Sequence, residues 1–162
     1  MDRAPRLDRT ALIVDDDVFI VAALAELLDE EGYDVHTASN GFSALRQALQ
    51  YRPSVILLDL VMPERSGVDI LSELRADAGT RDIAIVVVTG NAQLLTDVRL
   101  AEADGVVGKP FDVPELLDTL HHAVQRAASR RAEVAPIVSV SRREPPIRIR
   151  RASGVRRTRG RR

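Results

Sequence analysis

Five short apolar runs, most of them ending at a polar residue, set what this chain can fold into. Residues 11–14 read Ala-Leu-Ile-Val and run into Asp15, Asp16 and Asp17. Residues 34–38 alternate as a strand does. Residues 54–58 end at Asp59. Residues 83–88, almost all β-branched, end at Thr89, and Val106 and Val107 precede Gly108 and Lys109. Helical patterns fill the gaps. Ile20, Val21, Leu24, Leu27 and Leu28 recur at helical spacing over residues 18–31, and Gly32 stops the pattern. Phe42, Leu45, Ala48 and Leu49 fall on one predicted apolar face of residues 42–51, with Pro53 beyond. Ser66 is an N-cap for a helix through Val68, Leu71, Leu74 and Arg75. Residues 92–103 predict a weaker fourth helix. Asp112 and Pro114 open a last one through Leu116, Leu117, Leu120 and Val124. Continuous apolar strands separated by amphipathic helices imply a parallel sheet covered on both faces. Right-handed crossovers narrow this to an α/β fold: a doubly wound five-stranded sheet in the order 2-1-3-4-5, flanked by five helices.

Charge divides the chain unevenly. The total is 23 basic against 24 acidic groups, but residues 1–125 carry 10 basic and 22 acidic, and residues 126–162 carry 13 Arg against Glu133 and Glu144. Such asymmetry marks a domain with an appendage. We therefore expect an N-terminal extension over residues 1–9, a folded domain over 10–128 and a disordered, Arg-rich tail over 129–162. In the tail, Pro136, Pro145 and Pro146 oppose helix, and residues 134–140 form the one apolar stretch. There is no Cys, which excludes disulfides, Cys-based zinc sites and a thiol nucleophile. No apolar run approaches the roughly 18–20 residues needed to span a bilayer. Residues 1–10 are polar and Arg-rich, unlike a secretory signal. A cytoplasmic protein without a membrane span is the expectation. The only Lys in the chain is Lys109.

Ligands of an open α/β sheet bind beyond the carboxyl ends of the strands. Four strand ends here send Asp15, Asp16, Asp17, Asp59, Thr89 and Lys109 to that edge. Singly, each has an ordinary reading; Asp17, for one, can cap the first helix. Together, clustered carboxylates repel unless a cation compensates them. Oxygen ligands with open water positions suit Mg²⁺, which commonly binds one or two carboxylates plus a phosphate.

The motifs Val14-Asp15-Asp16-Asp17, Leu57-Leu58-Asp59-Leu60-Val61-Met62-Pro63 with Gly67, Val87-Val88-Thr89-Gly90 and Lys109-Pro110-Phe111 together resemble the receiver domain of bacterial response regulators of two-component systems, in its single-domain form. The resemblance covers residues 10–126. It implies a phosphoacceptor role for Asp59, which takes a phosphoryl group from a histidine kinase or phosphotransfer protein in a phosphorelay. It implies Mg²⁺ held by Asp15, Asp16, Asp59 and the backbone carbonyl of Val61. Thr89 and Lys109 would each bond a phosphoryl oxygen, and the Lys109–Pro110 bond is expected to be cis. The protein would be a signalling domain, not an enzyme beyond its own phosphorylation and dephosphorylation, and would act on a downstream effector protein. Val61 and Asn91, two places after Asp59 and Thr89, are positions that can tune the lifetime of the phosphorylated state.

Two features depart from the family pattern. The switch position three residues before the Lys, usually aromatic, is Val106, and the stretch from Thr89 to Lys109 is about two residues short. Both put the usual output surface in doubt. Phe19 and Phe111 are expected to pack as core or edge residues. His36, His121 and His122 fall away from the strand-end cluster and read as solvated. The tail lacks a helical pattern for a winged-helix or helix-turn-helix unit. Its Arg residues can bind nucleic acid weakly and without sequence preference, and with no aromatic after Phe111 it has nothing to stack on bases. The alternative reading is thus a receiver gating an Arg-rich nucleic-acid-binding arm.

Overall fold

The computed structural model describes residues 9–91 and 93–134. Residues 1–8 of the expected extension and 135–162 of the expected tail lie outside them, with every expectation placed there. The sheet has five parallel strands, β1 (Thr10–Val14), β2 (Asp34–Ala38), β3 (Val55–Leu58), β4 (Ala84–Thr89) and β5 (Gly105–Gly108), in the order β2-β1-β3-β4-β5. The α-helices are α1 (Val18–Glu30), α2 (Gly41–Tyr51), α3 (Gly67–Ala76) and α4 (Val113–Val134). Among the described residues no helix is long and apolar enough to cross a membrane.

The period of two along each strand builds two cores, one on each sheet face. Leu12, Val14, Ile56, Leu58, Ile85 and Val87 meet α2 and α3 through Ala44, Ala48, Val68, Leu71 and Leu74. Ala11, Ile13, Val55, Leu57, Val86 and Val88 meet α1 and α4 through Leu24, Leu28, Leu116, Leu120, Ala123 and Ala127. The three central strands are buried throughout apart from Thr10, which is why they read as continuous apolar runs. The helix starts follow side-chain chemistry. Asp17, Asn40 and Ser66 cap α1, α2 and α3 by accepting backbone N–H bonds. Gly32, at a φ of +90°, turns the chain out of α1.

The structure corrects four expectations. The fourth helix is absent: residues 94–102 form two 3₁₀ turns, Leu94–Thr96 and Val98–Glu102, so four α-helices flank the sheet. Leu94, Leu100 and Ala103 still hold this segment against the core. On α2 the buried face is Gly41, Ala44 and Ala48, while Phe42 is 68% exposed and Leu49 47%. Small residues face the sheet, Leu45 packs partly against the same core, and Phe42 and Leu49 point outward. Phe19 does not pack; it is 83% exposed on the first turn of α1, whereas Phe111 packs against the α1–α4 core.

Finally, α4 continues to Val134, six residues beyond the expected boundary at Ala128. Ala123 and Ala127 keep it on the sheet, and an ion cluster fastens its overhang. Asp104 is buried just before β5 and accepts from the Ile85 N–H at 2.9 Å. Its carboxylate takes Arg75 Nη2 at 2.8 Å and both terminal nitrogens of Arg130, and its carbonyl takes Arg126 Nη1 at 3.3 Å. Arg75 also donates to the carbonyls of Arg81, Ile83 and Glu102. Arg130, which the sequence reading placed in the Arg-rich tail, therefore packs with Arg126 onto the domain.

Candidate functional site

The site lies at the carboxyl edge of β1, β3, β4 and β5. The Asp15 N–H bonds the Ala38 carbonyl at 3.1 Å, the Asp59 N–H bonds Val14 at 2.9 Å, and the Lys109 N–H bonds Thr89 at 2.9 Å. Ladder-like bonds thus fix the backbone of all three chemistry-bearing residues. Asp15 Oδ1 accepts the Asp17 N–H at 2.9 Å, and Asp17 Oδ1 in turn accepts the Phe19 N–H at 2.9 Å. Asp17 is spent on capping α1, while exposed Asp16 stands beside the cleft.

Asp15 and Asp59 are only 3% and 6% exposed. Asp15, Asp16 and Asp59 each bring a carboxylate oxygen within 4.8 Å of the others. Lys109 Nζ stands between the two buried acids, 2.6 Å from Asp15 Oδ2 and 3.4 Å from Asp59 Oδ2. Burial pushes the Asp59 carboxyl above its ordinary range, helped by the negative charge of Asp15; the Val61 N–H at 3.2 Å and the Lys109 ammonium pull it back without cancelling the rise. Burial works against the Lys109 charge, but its bond to Asp15 and the charges of both carboxylates outweigh it and hold its pKa up. An open cleft of about 800 Å³ is walled by Asp15, Asp16, Asp59, Val61, Asn91 and Lys109, among others.

Gly67 sets the floor. A Cβ there would lie 2.2 Å from the Asp59 carbonyl oxygen and 2.5 Å from Leu60 Cα. The start of α3 reaches the end of β3 only because this residue has no side chain. The Lys109–Pro110 bond is cis.

The sequence-derived residues do not all converge. Thr89 ends β4 but is 1% exposed, its hydroxyl accepting the Asn91 N–H at 3.3 Å, and Gly90 and Asn91 face the cleft in its place. Val106 pairs with Val87 in the sheet and is 38% exposed, outside the cleft wall. His36 stacks on Tyr51, with ring centroids 3.8 Å apart, and His121 lies 3.8 Å from Glu31. Sequence reasoning missed the Asp104 cluster. The available signal was the helical spacing of Ala123, Arg126, Ala127 and Arg130, which carries the pattern of Leu116 and Leu120 onward.

A profile of the response regulator receiver domain matches residues 11–121. The chain belongs to the response regulator receiver family. The transcriptional regulatory protein KdpE of Mycobacterium tuberculosis is 36% identical over 129 residues, covering 78% of this chain and 56% of KdpE. The DNA-binding dual master transcriptional regulator RpaA of Synechocystis is 35% identical over 127 residues, 77% of this chain and 51% of RpaA. The chain spans about half the length of these curated relatives. The response regulator TrrA of Thermotoga maritima, solved in complex with Mg²⁺-BeF, superposes with a TM-score of 0.67 at 32% identity, covering 71% of this chain and 98% of TrrA. Receivers are signalling domains of two-component systems. They bind Mg²⁺ at an acidic pocket, and in this receiver the donor set fits that ion: three carboxylates, all hard oxygen donors, converge at an open cleft.

Proposed function

We propose that this receiver accepts a phosphoryl group on Asp59 from the phosphohistidine of a histidine kinase or phosphotransfer protein, and passes the signal to a downstream effector protein. The observation that carries the reading is Lys109 seated between Asp15 and Asp59, with Asp59 held nearly buried at the end of β3. An arrangement that concentrates like charges is costly unless it serves a further anion and cation.

Asp59 attacks as a carboxylate: its oxygen bonds phosphorus while the phosphorus–nitrogen bond of the phosphohistidine breaks, giving an aspartyl phosphate. Asp15, Asp16, Asp59 and the Val61 carbonyl would hold Mg²⁺, which when bound neutralises charge between carboxylate and phosphoryl group. Lys109 exchanges part of its contact with the carboxylates for a phosphoryl oxygen. Thr89 donates its hydroxyl proton to another oxygen, and its hydroxyl oxygen can go on accepting the Asn91 N–H. Catalysis here is positioning and charge compensation, confined to the domain's own phosphorylation and dephosphorylation. We assign the protein to the cytoplasm with its kinase.

The switch differs from the usual one. Val106 has no ring or hydroxyl to follow Thr89, and 3₁₀ turns replace the fourth helix beside it. The phosphorylated state is read elsewhere, at the face of α1.

Incubation with a small-molecule phosphodonor and Mg²⁺, scored by intact mass, gives one phosphoryl group on the wild type and none on Asp59→Asn. Equal labelling of both removes Asp59 from its role. On the same samples, amide NMR shifts cluster at α1 and the site; large shifts centred on Val106 and residues 94–102 would overturn the altered readout.

A further inference from the structure

We propose that the apolar segment 134–140 of this chain docks into a groove between α2 and α3, at the end of the sheet opposite the phosphoacceptor. The groove has two adjoining parts. The first, a cavity of about 570 Å³, is lined by Arg52, Gly79, Asp82, Ile83 and Arg131 among others, so the α4 overhang reaches the C-terminus of α2. The second, about 230 Å³, is lined by Leu45, Leu49, Glu73, Asp77 and Thr80. Gly79 forms the sill between them: a Cβ there would sit 3.1 Å from both Leu49 Cδ2 and Asp77 Oδ1. Leu49, 47% exposed, presents apolar surface to the groove, and Leu45, packed partly against the core, lines it beside Leu49.

Three features select the occupant. The first is position. The Asp104 cluster fixes the α4 overhang, and the described chain ends at Val134, one helical turn beyond Arg131 in the first cavity. The next six residues span up to about 20 Å when extended. Leu49 lies one turn of α2, roughly 5 Å, from Arg52, which lines the first cavity together with Arg131, so an extended segment leaving Val134 runs toward the second cavity. The second is chemistry. Ala-Pro-Ile-Val-Ser-Val is the one apolar stretch after the domain, and Pro136 disfavours continued helix. The third is charge. Arg142 and Arg143 follow Ser141, and the second cavity is rimmed by Asp77 and by Glu73, the latter also paired with Arg65. A short tether supplies a local concentration on the order of millimolar, so modest apolar burial suffices to hold the segment.

The chain has no Cys, so an introduced pair reports proximity cleanly. With Leu49→Cys and Ile137→Cys in the full chain, mild oxidation gives a monomeric disulfide at a rate independent of protein concentration. That rate is expected to be at least about tenfold above a pair made from Asp118→Cys, exposed on α4, and Ile137→Cys. Equal rates overturn the proposal. So does a covalent dimer as the main product, which would place a second copy's segment in the groove. In the chain without introduced Cys, Ile137→Asp shifts the amide resonances of Leu45, Leu49 and Thr80; unchanged resonances overturn the docking without touching the phosphoacceptor site.

Discussion

Burial at the end of β3 raises the pKa of Asp59 because the ionised carboxylate loses water it cannot fully replace. Lys109 and the Val61 N–H replace part of it, and their geometry depends on where β3 ends. That end is fixed by a residue without chemistry of its own. Gly67 lets α3 begin against the Asp59 carbonyl, and its N–H bonds the Leu60 carbonyl at 3.0 Å. In Gly67→Ala the new methyl meets backbone, not a yielding side chain, so α3 or the Asp59 turn must shift. We expect a loss of about 2 kcal/mol in urea unfolding and phosphodonor labelling at least several-fold slower. Destabilisation with unchanged labelling would separate the packing role from the positioning of Asp59. The carboxylates and Lys109 were legible in sequence because strand ends in a parallel sheet share one edge. The hydroxyl contact of Thr89 was not, since sequence places a residue at an edge without choosing its rotamer.

At the scale of elements, the strands were legible because burial on both faces leaves only apolar side chains. Errors fell on helices whose apolar positions do not decide their facing. On α2, Phe42 and Leu49 fit a helical stripe, but the tighter face of Gly41, Ala44 and Ala48 packs against the sheet; Phe42 instead lies under Arg65, 5.5 Å from its guanidinium carbon. The Asp104 cluster joins three elements that no local pattern connects: the end of α3, the start of β4 and the α4 overhang. Burial alone would raise the Asp104 pKa, but the bond from Arg130, the Ile85 N–H and the charges of Arg75 and Arg130 carry it below its ordinary value of 3.8. A lowered carboxyl pKa stabilises the fold fully above the unfolded value, and that contribution fades as pH falls through the folded one. Asp104→Asn should therefore cost about 3 kcal/mol at neutral pH, and the gap to wild type should close in acid, below pH 3.8. A gap unchanged into acid would mean that the carboxylate charge is not what holds the cluster.

Taken whole, the molecule divides differently from its charge. Sequence places the break near Ala128, where large apolar residues stop. The structure carries the domain to Val134, because alanines at helical spacing and guanidiniums that find Asp104 extend α4 without any large side chain. Composition could not show this, since an Arg held in an ion cluster and an Arg in a solvated tail count alike. The boundary has a direct consequence. Two chains, one ending after Ala128 and one after Val134, both lack residues 135–162 and differ only in six residues of helix. The shorter loses Arg130 and leaves Asp104 to Arg75 and Arg126, so it should be less stable by about 1–2 kcal/mol in urea unfolding. Because the Asp104 carboxylate is only 6% exposed, that difference should survive 0.5 M salt, about which surface pairs are largely screened. If salt erases the difference, the overhang contributes only surface charge, and the domain ends where the apolar pattern does.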